Sequence, residues 1–382
     1  MNEFLDYLSA SDNDIYDLLI SGKQRLTESV LREFARDRGI FCSPEDDRED
    51  LADYLSMLPH GFHDVAAIVQ KRDPGHRREK TTFVRLNTSM PVEELKMAAA
   101  EYAAAVTGKE HVVYRPAAND GFVVNVVYDE FNRSRTRLLQ RERQEADIEF
   151  LVQDGQTVVR LPATDKAKKI VAALKENVER RRKETIDEER VELTGLATPE
   201  LRSKFFTRLI SSLPKFRLRN VMSLKVSSHL SEDGEEDEAL DLEEDDEVAA
   251  GAEMFAAVVH SMHMSGQNLV QSQEYKDLTA RGFYITAISW RSESEGNPPD
   301  IIQFDAGFQD RKRGTGFKYA VQGAFRAHKG SHRKTIVHVS DMEKAKLLAL
   351  LELTARQVLI NLLEEAKGVD EVVEGGRDGA AV

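Results

Sequence analysis

A run of acidic residues between positions 232 and 247 limits how the whole polypeptide can fold. The segment EDGEEDEALDLEEDDE holds twelve carboxylates and no basic residue. A block of like charge cannot be buried in a hydrophobic core, so we expect a solvated, disordered loop here. The loop therefore interrupts the second half of the chain and contributes nothing to a core.

Charge is segregated along the chain. Without the twelve carboxylates of the acidic run, the net charge of −14 would be −2. The stretch just before the run, Leu201 to His229, carries seven basic residues and no acidic one. Two further readings of the run stay open: it folds over this basic stretch and competes with nucleic acid, or it docks a basic partner.

Composition and length indicate a folded protein. The chain has 382 residues, of which 41% are hydrophobic and 31% charged, so we expect two or three domains. Apolar runs are too short for a membrane span, and the N-terminal residues lack an export signal. The single cysteine, Cys42, fits a reducing compartment. These features predict a cytoplasmic, prokaryotic protein with no membrane contact.

The order of patterns predicts an α+β protein in three parts. Residues 1–76 have helical spacing and caps throughout, and the polar stretch from Lys71 to Lys80 resembles a linker. An α+β domain is predicted over 80–190 and a second one over 191–368, which contains the acidic loop. Gly368 is expected to end the last helix, leaving 369–382 as a disordered tail.

Hairpin signals among helices favour mainly antiparallel sheets. Asp154-Gly155 separates two β-rich runs and predicts a type I′ hairpin, which a helix over about 164–184 follows. Thr198-Pro199 is an N-cap and N1 pair that opens a helix. A helix is also expected over about 252–264. Residues 283–290, 301–308 and 317–325 read as consecutive antiparallel strands.

Residues 27–58 resemble the helix-extended-helix family, and within it the SAP module. The matching residues are Leu31, Phe34 and Ala35 of the first helix, the turn Gly39-Ile40, and Leu51, Tyr54 and Leu55 of the second helix. The resemblance implies two short helices across an extended bridge and, in many members, DNA backbone contact. Members usually carry a basic bridge, whereas this bridge reads SPEDDRED, and carboxylates repel phosphate. A protein-docking or structural role is therefore favoured for this module.

The chain contains no recognisable catalytic motif. Phosphate-binding GxxxxGK[ST], GxSxG and HExxH are all absent. Asp300 and Asp305 with Lys312 downstream resemble the acids and lysine of a metal-dependent nuclease, but at unusual spacing, so a charged sheet rim is favoured. The pair His260 and His263, expected on a helix, lacks further metal ligands. No cofactor and no metal site are predicted.

Basic residues give the strongest functional signal. Phosphate binding needs several cations on one surface, and Phe317, Tyr319 and Phe325 lie among them for base stacking. The predicted nucleic-acid-binding residues are Lys204, Arg208, Lys215, Arg217, Arg219, Arg311, Lys312, Arg313, Lys318, Arg333 and Lys334. A further group, Arg133, Arg135 and Arg137, would project to one side of a strand, with Glu142 and Glu145 available as ion-pair partners.

These observations predict a non-catalytic, nucleic-acid-associated accessory or regulatory protein. One alternative is a divergent metal-dependent nuclease or an effector subunit of a bacterial antiviral (anti-phage) defence complex. Another is a protein-binding scaffold, because the apolar stripe of the last helix is wider than one surface requires and could meet a partner or a second copy. Neither DNA nor RNA is favoured by the pattern.

Deletion of Glu232 to Glu247 tests the competing role of the acidic run. Because these carboxylates follow the basic stretch closely, they can lie within a Debye length of it, about 8 Å at physiological salt. We expect the deletion to leave the melting temperature nearly unchanged and to tighten nucleic-acid binding, most clearly at low salt. A binding titration checks this. Unchanged affinity and salt slope would make the run a passive linker or a docking site.

Overall fold

The structure, a computed structural model, describes residues 10–72, 80–116, 121–153, 155–228, 261–265, 272–328 and 331–375. In chain order its elements are α1 (Asp12–Ser21), α2 (Glu28–Asp37), α3 (Arg48–Ser56), α4 (Phe62–Arg72), β1 (Thr81–Leu86), α5 (Val92–Ala105), β2 (Glu110–Pro116), β3 (Phe122–Phe131), β4 (Arg141–Gln153), β5 (Gln156–Pro162), α6 (Asp165–Arg182), β6 (Glu188–Glu189), α7 (Pro199–Ser211), β7 (Phe216–Ser228), β8 (Ser261–Ser265), α8 (Gln273–Ala280), β9 (Phe283–Ser294), β10 (Ile301–Asp310), β11 (Thr315–Phe325), β12 (Ala327–His328), β13 (Ser331–His332) and α9 (Asp341–Gly375). This mixture, with mostly antiparallel strand pairs, confirms the predicted α+β class and its helical N-terminal region. The acidic run and Asp154 lie outside the described residues.

Residue contacts divide the chain into two compact units, each assembled from separated segments. Unit 1 consists of Met1–Glu79, Thr88–Thr157 and Thr164–Ile186, and unit 2 consists of Lys80–Asn87, Val158–Ala163 and Asp187–Val382. The predicted division into 1–76, 80–190 and 191–368 uses continuous segments. This predicted division stays a prediction.

Four helices open unit 1. At α1, the Ser11 hydroxyl accepts a hydrogen bond from the Asp14 amide (3.3 Å) and the Asp14 carboxylate accepts one from the Ser11 amide (2.9 Å). This capping box satisfies donors that the first helical turn leaves open. Buried side chains of all four helices form one core, which Leu138 and Leu139 complete.

The rest of unit 1 is a sheet of β2, β3 and β4 with α5 and α6. The strands pair antiparallel, with Val126 opposite both Val112 and Ala146. Apolar residues at helical spacing, such as Leu95 and Ala99 of α5 and Ile170 and Leu174 of α6, are buried. The helix predicted over about 164–184 is confirmed as α6.

The prediction that Arg133, Arg135 and Arg137 share one side of a strand is wrong. β3 ends at Phe131, and the Asn132 side chain then accepts the amide of Ser134 (3.0 Å). Such a bond is typical of a turn. Arg133 and Arg135 lie in this turn, and Arg137 begins a short 3-10 helix, Arg137–Leu139.

Unit 2 is built on a sheet with the strand order β5, β1, β11, β10, β9, β7, β8, and β6 pairs with β1. β5 belongs to this unit from Val158 onward. Ala306 of β10 lies opposite Ile288 of β9 and Tyr319 of β11. The three predicted consecutive strands are therefore confirmed as β9, β10 and β11.

One face of this sheet packs against α7 and α9. Trp290 and Phe304 stack with ring centroids 5.4 Å apart, and Phe205 and Phe206 of α7 complete the aromatic core. The apolar residues of α9 that are buried in the same core are Leu347, Leu348, Leu351, Ala355, Val358, Leu359 and Leu362. These side chains already pack inside unit 2, and a partner at this helix stays a prediction. Among the described helices, none is both long and apolar enough to cross a bilayer.

Two helix predictions in unit 2 need correction. Residues 261–265, the described part of the helix predicted over 252–264, form strand β8, which pairs with the edge of β7. The last helix does not end at Gly368 but continues to Gly375, so the predicted tail is helical over 369–375. A single glycine costs a helix only about 1 kcal/mol and does not stop it without a left-handed cap. Helix α8 was not predicted from the sequence.

A buried ion pair connects α9 to the sheet of unit 2. The Arg160 guanidinium donates to both carboxylate oxygens of Glu352, at 2.6 and 3.1 Å, and Tyr319 donates its hydroxyl to the same carboxylate. Arg160 is 5% and Glu352 4% exposed. Burial and the neighbouring negative charge raise the pKa of Tyr319 well above its ordinary value. The three residues come from β5, β11 and α9.

Removing one member of this ion pair should be strongly destabilising. In Glu352→Ala the Arg160 guanidinium stays buried without a counter-charge, which typically costs about 3 to 5 kcal/mol. We expect a loss of that size in the free energy of unfolding from urea denaturation. The double variant Arg160→Met with Glu352→Leu should lose much less. Equal losses in both variants would contradict a role for the unpaired charge.

Candidate nucleic-acid interface

The structure distributes the predicted basic residues over several elements of unit 2. Lys204 and Arg208 lie on α7, Lys215 precedes β7, Arg217 and Arg219 lie on β7, Arg311, Lys312 and Arg313 form the turn between β10 and β11, Lys318 lies on β11, and Arg333 and Lys334 follow β13. They do not form one surface patch, because the strand register separates them.

The register places these residues at two ends of the sheet. Phe216 at the start of β7 pairs with Ser294 at the end of β9, and Ile301 at the start of β10 pairs with Phe325 at the end of β11. The turn at 311–314 is at the other end of β10. Ten residues of strand span roughly 30 Å. We name the first end the basic end, comprising Lys215, Arg217, Arg219, Arg291, Phe325, Arg333 and Lys334.

The turn at 311–314 is held rigidly from inside unit 2. Arg202 of α7 donates to the Lys312 carbonyl (2.5 Å), and the Tyr284 hydroxyl donates to the Arg311 carbonyl (3.1 Å). Gly314 has φ +70°, and a Cβ there would lie 2.7 Å from the side chain of Leu193. Arg313 extends into solvent with its side chain 82% exposed. The turn is a second cationic site, separate from the basic end.

Two of the three cations of α7, Lys204 and Arg208, interact with Glu365 of α9. Arg208 makes a bidentate pair with Glu365 of α9, at 2.5 and 3.0 Å. Hydrogen bonding to this carboxylate raises the pKa of Arg208. The charges of Arg208 and Lys204 both help to lower the pKa of Glu365. Arg208 already has an acidic partner and is a weak candidate for phosphate.

At the basic end the structure adds a residue that sequence reasoning missed, Arg291. It lies on β9 opposite Asn220 of β7, just beyond the predicted strand end at Trp290. The register shifts between Leu218 and Asn220, so Arg219 is the extra residue of a β-bulge beside Arg291. The only sequence signal was a basic residue directly after an apolar strand.

The guanidinium of Arg291 is fixed on two sides. It lies over the Phe325 ring, with 4.3 Å from its central carbon to the ring centroid, and its Nε donates to the Gln303 side chain (3.0 Å). Burial lowers the pKa of Arg291, and the charge of Arg219 lowers it further. Within the described part of the chain, no carboxylate lies within ion-pair distance of Arg219 or Arg291.

Two other arginines at this end, Arg217 and Arg326, do have acidic partners. Arg217 pairs with Glu293 at 3.1 Å. Arg326, which follows β11, donates to Asp300 at 2.7 Å and also to Glu343 of α9. Arg219 and Arg291 differ from these two arginines because no described carboxylate lies within ion-pair distance of them.

The predicted nuclease residues do not converge. Asp300 lies at the basic end, where one oxygen accepts from Arg326 and the other from the Ala327 amide (2.8 Å), whereas Lys312 is at the opposite end. Asp305 is 5% exposed and accepts from Gln322, while its other oxygen and the Ser289 hydroxyl are buried without a hydrogen bond. In the described ranges, no three residues of metal-ligating type gather at one point.

The predicted pair His260 and His263 also differs from expectation. His263 lies on strand β8, not on a helix, and pairs in register with Lys225. His260 lies outside the described residues. Elsewhere, both ring nitrogens of His60 have structural contacts, to the Leu55 carbonyl (2.8 Å) and to Arg38 (3.0 Å).

In unit 1, charged residues of the SAP-like stretch act as caps. The Asp47 carboxylate accepts the amides of Glu49 and Asp50 at the start of α3, at 2.8 and 2.9 Å. Arg48 donates to the carbonyls of Leu19 and Leu26. Residues of the acidic bridge therefore help to connect the helices.

The arginines near residue 135 are also paired. Arg135 binds Glu142 at 2.9 Å, as the sequence suggested, and Arg137 binds Asp14 at 2.6 Å. Arg141 pairs with Asp129. Intramolecular ion pairs therefore account for three of the basic residues in this segment.

No protein-family model matches this chain, and no curated protein matches it as a relative. The SAP-like resemblance of residues 27–58 has no family match behind it and stays a prediction. The function has to be inferred from the chain's own residues.

Asp300 should make stability at the basic end depend on pH. Burial alone would raise the pKa of Asp300, but hydrogen bonds from Ala327 and Arg326 hold it below its ordinary value. A lowered carboxyl pKa stabilises the fold above the unfolded pKa, near 3.9, and this contribution disappears as the pH falls through the folded pKa.

Asp300→Asn should therefore lower the free energy of unfolding at pH 7 by about 1.5 to 3 kcal/mol, as is typical of hydrogen bonds to a charged group. The difference from the wild type should shrink towards pH 3. Urea denaturation across this pH range checks it, with the exposed Asp53→Asn as control. A difference that does not change with pH would show that the charge is not responsible.

Proposed function

We propose that this protein is a non-catalytic, nucleic-acid-associated accessory or regulatory protein that binds the phosphate backbone through the basic end. The observation that supports this most directly is the pair Arg219 and Arg291, brought together without an acidic partner among the described residues. Two adjacent cations without a carboxylate beside them repel each other, and a bound anion would offset that repulsion.

The surroundings of the pair fit a polyanion. Lys215 and Arg333 are exposed at the same end, and Lys334 follows. The Arg333 amide donates to the Arg326 carbonyl (3.0 Å), which holds this segment beside the end of β11. Several cations on one surface are what phosphate contacts require, and such contacts orient nucleic acid without reading its sequence.

Two other functions stay predictions without a specific observation in their favour. A metal-dependent nuclease would need ligands that converge, and the described acids and Lys312 lie apart. A protein-binding scaffold would use α9, whose leucines are buried in unit 2 over the described side chains. Cytoplasmic location and a part in bacterial antiviral defence are likewise predictions.

Salt-dependent binding tests the proposal. We expect labelled DNA or RNA to bind with an affinity that falls linearly on logarithmic axes between about 50 and 200 mM salt, because phosphate contacts release counterions. Fluorescence anisotropy with single strands and duplexes measures this. The double variant Lys215→Glu with Arg333→Glu should bind more weakly than the wild type and have a smaller slope.

A matched double variant in unit 1, Arg36→Glu with Arg180→Glu, makes the same change of charge on exposed helices. It should weaken binding much less. Arg311→Glu with Arg313→Glu measures the share of the second cationic site. Absence of binding to every strand and duplex at low salt would end the proposal, and equal loss in the unit 1 variant would remove the basic end as its location.

A further inference from the structure

Arg219 and Arg291 form an arrangement that differs from every other close arginine contact at this end of the sheet. Their neighbours Arg217 and Arg326 each face a carboxylate. Arg219 and Arg291 have no such carboxylate among the described residues, and the bulge places Arg219 next to Asn220, the residue opposite Arg291, close enough for the two charges to interact. Two like charges at short range repel, and an anion between them converts the repulsion into attraction.

The orientation of Arg291 is set by the fold. Phe325 supports one face of its guanidinium at 4.3 Å, and Gln303 accepts from Nε. These contacts occupy one face of the guanidinium and its Nε–H donor. The two terminal amino groups donate to no described acceptor. A planar fork with both terminal amino groups left over matches two oxygens of a phosphate.

We propose that Arg219 and Arg291 together clamp a single phosphate group, with Phe325 and Gln303 as positioning residues for the Arg291 guanidinium. This deepens the proposed function, and rests on it for the statement that the phosphate belongs to nucleic acid. The chemistry is shared by a backbone phosphodiester and by a terminal or free phosphate. A half-buried guanidinium binds an anion more strongly than an exposed one, because less solvent screens it.

A phosphate bound by the two arginines would explain why Arg291 is partly buried although no described carboxylate lies beside it. Burial and Arg219 both shift the pKa of Arg291 downwards, which is unfavourable for the charged form. A bound phosphate would remove this penalty. Arg291 therefore contributes to a binding site at a small cost to the stability of the unbound fold, as is common for groups that await a ligand.

The first test uses inorganic phosphate with the full-length protein. At matched ionic strength, phosphate should raise the melting temperature more than chloride does, since a ligand that binds only the folded state stabilises it. Part of this increase is a general effect of phosphate, which is excluded from protein surfaces. Arg219→Gln and Arg291→Gln should remove the remaining, site-specific part, so that both variants gain less than the wild type. Arg291→Lys should retain only part of it, because lysine keeps the charge but lacks the fork. Arg190→Gln, a paired arginine elsewhere in unit 2, serves as control and should behave as wild type.

The second test identifies the source of the phosphate. Anisotropy is measured with one oligonucleotide sequence, with and without a 5′-phosphate. If the clamp holds the backbone, both forms bind alike, and Arg219→Gln weakens each by about tenfold and lowers the salt slope by about one. If it holds a terminal phosphate, only the phosphorylated form is bound more tightly, and Arg219→Gln removes the difference.

The outcomes separate the two proposals. If Arg219→Gln and Arg291→Gln match Arg190→Gln in both tests, the clamp is wrong, even where the wild type still binds nucleic acid. If phosphate stabilises the wild type through these arginines but no oligonucleotide binds, the clamp stands and the nucleic-acid function fails. Arg219 is exposed, so its variant tests the clamp even if Arg291→Gln does not fold.

Discussion

The buried pair between Arg160 and Glu352 positions the elements on which the candidate site depends. Two charges leave water only where geometry and further hydrogen bonds compensate them, and here Tyr319 supplies the additional bond. The pair fixes α9 along β5 and β11. The first turn of α9 carries Glu343, and the same helix placement brings Glu343 to Arg326 at the end of β11. The charge pattern at the basic end therefore follows from an interaction deep in the core of unit 2.

Compensation distinguishes structural arginines from candidate binding arginines in this protein. Arg202 is buried and donates to the carbonyls of Leu196 and Lys312, so it organises a turn. Arg356 pairs with Glu189 at 2.7 Å and connects α9 to β6. Each of these side chains has an acceptor for a terminal amino group within the fold, whereas the terminal amino groups of Arg219 and Arg291 have none among the described residues. Basic residues in a sequence look alike, and only their partners reveal which ones the fold has already used.

Local signals predicted local structure well. Thr198-Pro199 opens α7 as expected, and the alternation in residues 283–325 became three antiparallel strands. The predictions failed where the structure of a segment depends on a partner that is distant in the sequence. Residues 261–265 form a strand because the edge of β7 is available, and Arg137 meets Asp14, which lies 123 positions away. Arg291 was missed for the same reason: its role depends on a bulge in β7 and on Phe325, neither of which has a sequence signal beside it.

Net charge also explains why binding at this protein has to be local. A total of −14 repels a polyanion at long range, although salt screens that repulsion beyond about 8 Å. Without the twelve acidic residues of the run the total would be −2, so the rest of the chain offers no general attraction either. Affinity for phosphate must therefore come from the few cations whose charge the fold leaves uncompensated. Since each phosphate contact contributes about one unit to the salt slope, a small slope is the physical signature of a site built on Arg219, Arg291 and their exposed neighbours.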